Sequence, residues 1–138
     1  MRDLRYGIEI EMTGLSRGKA AETLAGFFGT RAEHTGGSYD AYAVRDAQGR
    51  VWKLVSDGSI QTQKKVRGQT VAADSTYSVE LVSPVCVYED IGTIQEIVRA
   101  LRRNSALVND SCGIHVHVGA EKFDAQHLRN ITNIMASK

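Results

Sequence analysis

The sequence predicts an α+β domain in which a mostly antiparallel sheet is backed by helices. Three observations predict it. Short runs of period-two alternation recur along the chain, with hairpin-like neighbours. Stretches with the apolar spacing of helices separate some of them, in the order strand-helix-strand-strand-strand-helix-strand-helix. Finally, 138 residues with 42% apolar and 24% charged content, without an internal repeat or a linker, suit one hydrophobic core. Residues 1–138 therefore read as a single domain.

The first strand is Tyr6-Gly7-Ile8-Glu9-Ile10-Glu11-Met12, with Tyr6, Ile8, Ile10 and Met12 on one face and Gly7, Glu9 and Glu11 on the other. Ser16 is placed to cap a helix that runs to Phe28 and stops at Gly29. A polar connection, Thr30 to Ser38, contains the Gly36-Gly37 pair of a loop. Tyr39–Arg45 and Arg50–Ser56 read as strands joined by a turn, the second covered on both faces because Val51, Trp52, Leu54 and Val55 are all apolar. Gln61 to Thr76 is polar and shows no sustained period; it reads as a surface excursion or as a mobile loop over a site. Tyr77–Ser83 is a third strand, ended by the sole proline, Pro84.

Asp90 to Arg103 is an amphipathic helix, with Ile91, Ile94, Ile97, Val98 and Leu101 on one side and arginines at its C-terminal end. Ala106–Val108 and Ile114–Gly119 are strand-like. Asp124 caps a last helix, with Phe123 and Leu128 as its hydrophobic staple. That helix runs to Lys138 without a cap, as in a domain truncated at its C-terminus or completed by another chain.

Composition narrows the function. A formal charge of +1 gives no field that would favour nucleic acid or an anionic membrane. Lys64, Lys65 and Arg67, and Arg99, Arg102 and Arg103, read as solvated faces. No run approaches the roughly 20 apolar residues of a membrane span, and the N-terminus leads into a strand rather than a signal peptide. Two cysteines, Cys86 and Cys112, make no disulfide framework, so a reduced, cytoplasmic protein is expected. Cys112 reads as a small buried hydrophobe rather than a nucleophile, since no orienting partner is evident.

Chemistry concentrates on the polar strand faces. Glu9 and Glu11 are two residues apart, their Cα atoms roughly 6.5–7 Å from one another. His115 and His117 repeat the pattern in Cys112-Gly113-Ile114-His115-Val116-His117-Val118, and Glu80 stands opposite Val79 and Leu81 in the third strand. Separately, each is either a wet outer face or a ligand set. Brought together on one sheet, three carboxylates and two imidazoles would make a metal site on rigid strands. Asp57-Gly58-Ser59 reads alone as a turn. There is no Gly-x-x-x-x-Gly-Lys-[Ser/Thr] loop and no Gly-x-Gly-x-x-Gly turn, so a nucleotide would have to be held through metals and side chains.

Taken in order, Gly7–Glu11, Trp52 with Asp57-Gly58-Ser59-Ile60, Glu80–Pro84 and Cys112–Val118 resemble the amidoligase family. The resemblance implies a curved, glutamine-synthetase-like catalytic sheet. It also implies a ligase that uses ATP and Mg2+ (or Mn2+) to phosphorylate a carboxylate, so that an amine displaces the phosphate and an amide or isopeptide bond forms. Glu9, Glu11, Glu80 and His115 would be the metal ligands, Glu80 and Asp57 the catalytic carboxylates, and His117 and Ser59 the cofactor contacts. The partners would be a carboxylate and an amine, peptide or cell-wall compounds among them. Relatives usually continue beyond this point, which leaves a missing C-terminal half, a homo-oligomer or a non-catalytic assembly module as readings. The enzymatic rival is a metal-dependent hydrolase that uses a His/Glu site with Zn2+.

Overall fold

The computed structural model describes residues 4–119. Its elements in chain order are β1 (Tyr6–Met12), α1 (Arg17–Phe28), β2 (Ala32–Gly36), β3 (Ala41–Arg45), β4 (Val51–Val55), β5 (Gln63–Val66), β6 (Gln69–Ala72), β7 (Val79–Val82), α2 (Ile91–Arg103) and β8 (Ile114–Val118). Short 3-10 turns lie at Ser75–Tyr77 and Tyr88–Asp90. Six strands form one sheet in the order β2-β3-β4-β7-β1-β8, antiparallel at every pairing, and β5 and β6 form a separate hairpin.

The alternation read from the sequence decides the two faces. Ile10, Leu81, Leu54 and Tyr42 lie in one cross-strand row. With Met12, Val79, Trp52 and Val44 they meet Ala20, Ala21 and Leu24 of α1 and Ile94, Ile97 and Leu101 of α2. The helices therefore cover one side only. The expectation that β4 is covered on both faces is corrected: Trp52 and Leu54 are buried, whereas Lys53 between them is exposed.

Local signals hold the ends. The Ser16 hydroxyl accepts from the Lys19 N–H at 3.0 Å, and Gly29 closes α1 in the left-handed conformation, φ 73°. Gly14, φ 91°, is required twice over, because a Cβ there would stand 2.3 Å from the Ser105 carbonyl oxygen. At the β3–β4 turn, Asp46 accepts from the Gln48 and Arg50 N–H groups, from Arg50 Nε and from Trp52 Nε1. Arg50 then reaches Asp90 with both Nη atoms, at 3.0 and 2.9 Å, tying the hairpin to the start of α2.

Other expectations are corrected. Thr30–Ser38 is not all loop: Ala32–Gly36 is the edge strand β2, whose Glu33, His34 and Thr35 are exposed and show no alternation. Tyr39 and Asp40 lie before β3 in a turn, where Asp40 has φ 46°. Gln61–Thr76 contains the β5–β6 hairpin, turned at Arg67 (φ 52°) and Gly68 (φ 81°). Thr13 Oγ1 donates to the Gln63 carbonyl and accepts from its N–H, which anchors the hairpin to the end of β1. Tyr77 and Ser78 precede β7, and Ala106–Val108 contributes only a bridge between Leu107 and Thr13. The helix expected from Asp124 lies outside the described residues.

Candidate functional site

Antiparallel register puts directly opposed residues on one face. β1 lies between β7 and β8, with Glu11 opposite Glu80, Glu9 opposite His115 and Gly7 opposite His117. All point away from the helices. Val55 of β4 also lies opposite Glu80, so Asp57, two residues beyond it, joins the same end of the group.

Two triplets result. One donor atom from each of Glu9, Glu80 and His115 lies within 4.8 Å of the other two, and the same holds for Glu11, Asp57 and Glu80. Glu80 belongs to both. His115 Nδ1 approaches Glu9 Oε1 to 3.5 Å, and His117 Nε2 approaches Glu9 Oε2 to 3.5 Å. His117 Nε2 is nonetheless buried without a hydrogen-bond partner among the described residues, because an approach that long makes no good bond. Gly7, opposite His117, leaves open space: a Cβ there would meet nothing within 4 Å.

Five of the residues singled out from the sequence (Glu9, Glu11, Asp57, Glu80 and His115) thus share two triplets, and His117 borders one of them. Ser59 does not enter either. Its N–H and hydroxyl donate to Asp57 Oδ1 at 2.9 and 2.7 Å, which fixes the Asp57 carboxylate.

The sequence over residues 2–138 matches the family described as "Putative amidoligase enzyme". This chain belongs to the amidoligase family. No curated protein and no solved structure matches it.

The electrostatics of this cluster are those of crowded carboxylates. Glu80 is pushed up to about 7, first by burial and then by the charges of Glu9, Asp57 and Glu11. Glu11 is also raised, by burial and by a hydrogen bond shared with Asp57, although the Gly113 N–H donating to its Oε1 at 2.8 Å works the other way. Burial would raise Asp57 too, but the bond from Glu11 and the two donors of Ser59 hold it below the ordinary range. Crowded carboxylates whose ionisation is opposed by burial and by one another have positive charge to gain from a cation.

Several supports of the cluster carried no sequence signal. Ser78 Oγ accepts from the Asp57 N–H at 2.8 Å and donates to the Asp57 carbonyl at 2.7 Å. The Ser78 carbonyl in turn accepts from Nη1 of Arg17, a buried side chain that also binds the Ser75 carbonyl and both the carbonyl and carboxylate of Asp40. An arginine one residue after a helix cap looks solvated in sequence; its carbonyl partners lie as many as 61 residues away. Asn109 and Ser111 bind Gln61 and Gln63, closing the Asp57–Gln63 segment against the approach to β8.

A cavity of about 750 Å3 lies between β1, α2 and residues 106–114, lined mainly by Ile10, Met12, Val98, Leu101 and Leu107. Cys112 also lines it and is half-buried rather than sealed, a correction to its reading as core; its nearest recorded partner is Asn109 Oδ1 at 3.7 Å. Cys86 is buried. No helix among the described residues is long and apolar enough to cross a membrane.

Proposed function

We propose that this chain carries the site of an ATP-dependent carboxylate–amine ligase, which activates a carboxylate as an acyl-phosphate and passes it to an amine on a glutamine-synthetase-like sheet. The observation that carries this reading is the pair of triplets sharing Glu80. Four carboxylates and one imidazole are a donor set for hard divalent cations, Mg2+ or Mn2+, and two positions bridged by one carboxylate suit a polyphosphate chain. The buried, unpartnered Nε2 of His117 fits as well, since it lacks a partner that a phosphate oxygen would supply.

The geometry supports the following roles. Glu9, Glu80 and His115 would hold one ion, and Glu11, Asp57 and Glu80 the other. Such ions supply charge neutralisation to the phosphates, which is most of what phosphoryl transfer requires. His117, with its Nε2 protonated, would donate to a phosphate oxygen. Asp57, oriented by its bonds from Ser59, would take the proton of the attacking amine, which must be neutral to react. The partners are a carboxylate and an amine.

The test is release of inorganic phosphate from ATP. It should require a divalent cation together with both a carboxylate and an amine, with equimolar amide formation. Thermal unfolding gives the binding half of the answer: Mg2+ with a non-hydrolysable ATP analogue should raise Tm by more than either alone. A response to Zn2+ alone would favour the hydrolase, although a triplet with a single imidazole is poor in the nitrogen and sulfur donors of zinc sites. Nucleotide-dependent stabilisation without turnover would favour a binding or assembly module.

A further inference from the structure

The polar face of the sheet carries one more charged group in line with the centre. Glu9 lies opposite Val82 of β7, and Val82 lies opposite Lys53 of β4, so His115, Glu9, Val82 and Lys53 stand in one cross-strand row. Two strand spacings separate the Glu9 and Lys53 backbones, roughly 10 Å. A lysine stem spans much of that distance. Lys53 is exposed, and no hydrogen bond or ion pair of its ammonium occurs among the described residues.

The floor around it is short and apolar. Ala43 and Val82 are its cross-strand neighbours, and Val51 and Val55 flank it along β4. A long cation over small side chains leaves open sheet surface between itself and the carboxylates. Glu33, the next charge in the row on the outer side, is also two strands from Lys53, beyond Ala43. The centre itself is acidic, so an anion held there needs cations from outside the triplets.

We propose that Lys53 is a second anion-binding residue of this site beside His117, taking a further phosphate oxygen of the nucleotide whose chain begins at the Glu9–Glu80–His115 triplet. The proposal rests on the ligase reading and adds to it a direction: from the β8 side, where His117 lies, the phosphate chain runs across β7 toward β4, over Val82. An ammonium serves here as a point charge for phosphate.

The experiment is thermal unfolding of the wild type, Lys53→Met and Lys53→Arg, each with Mg2+ alone and with Mg2+ plus a non-hydrolysable ATP analogue. Lys53→Met should keep a Mg2+ shift equal to or slightly larger than that of the wild type, because a repelling cation has been removed. Its apparent affinity for the analogue should fall roughly tenfold or more, the scale of one charge-assisted hydrogen bond. Lys53→Arg should recover most of the loss. A wild type that responds to the analogue beside a Lys53→Met variant that responds equally would overturn the role of Lys53 and leave the ligase reading standing. A variant impaired only in binding a carboxylate substrate would also overturn it. No analogue response in the wild type would overturn both.

Discussion

Glu80→Gln tests the centre most directly. Glu80 is half-buried opposite Glu11, and burial, then the charges of Glu9, Asp57 and Glu11, push it from 4.5 to about 7. A folded-state value above the unfolded one means that the native protein binds more protons between them. Stability is therefore fully present below about pH 4.5 and is lost as pH rises through about 7. The undiscounted cost of ionising Glu80 at higher pH is about 3 kcal/mol, and solvent screening at a half-exposed group reduces it to about 1.5–2 kcal/mol.

Gln keeps the shape and supplies donors to the neighbouring carboxylates without the charge. In the metal-free protein, Glu80→Gln should raise Tm by about 5 °C near pH 8.5 and by about zero near pH 4.5, given the unfolding entropy of a domain this size. Added Mg2+ or Mn2+ should reverse the order, because the variant has lost the ligand common to both triplets. Calorimetry at the two pH values, with and without metal, reads all four states. A Tm difference independent of pH would refute the like-charge argument, and an undiminished metal shift in the variant would refute the shared ligand.

Further outcomes follow from the same physics. The double variant Glu9→Gln/Glu11→Gln should lose divalent-cation stabilisation while the metal-free protein becomes no less stable, as read by unfolding with and without Mg2+. Arg50→Met should destabilise by about 3 kcal/mol in urea titration near pH 7, because it strands the buried Asp46 and Asp90 carboxylates. Both are held below their ordinary range: Asp90 chiefly by Arg50, and Asp46, against burial, by Trp52 and the Arg50 N–H and charge. Their stabilisation is present above about pH 4 and lost as pH falls further, so the variant should show a flatter acid limb. Gly14→Ala should cost more than about 2 kcal/mol by the same titration, since the Ser105 carbonyl must move and φ is positive.

Legibility in the sequence tracked how many faces of each segment are buried. β1, β4 and β7 have one face on the helices and one turned to the candidate site, so alternation exposes both at once: Ile10 with Glu11, Leu54 with Lys53, Leu81 with Glu80. β2, β5 and β6 have no buried residue, and the chain there has no reason to alternate. They form through pairing and anchoring, by His34 stacked on Tyr42 at 4.4 Å and by Thr13 gripping Gln63, which only three-dimensional structure supplies. The site divides in the same way. The carboxylates and imidazoles are visible because charge on a core strand conflicts with its burial, and such conflicts concentrate where a protein does chemistry. The groups that aim them, Arg17, Ser78, Asn109 and Ser111, conflict with nothing local. Asp57 shows the limit most clearly: in sequence it is the first residue of a Gly-Ser turn, and it remains one, with Ser59 bonded across it. What makes it part of the centre is that β4 pairs with β7 and delivers that turn beside Glu80 and Glu11, a consequence of sheet order that no local pattern encodes.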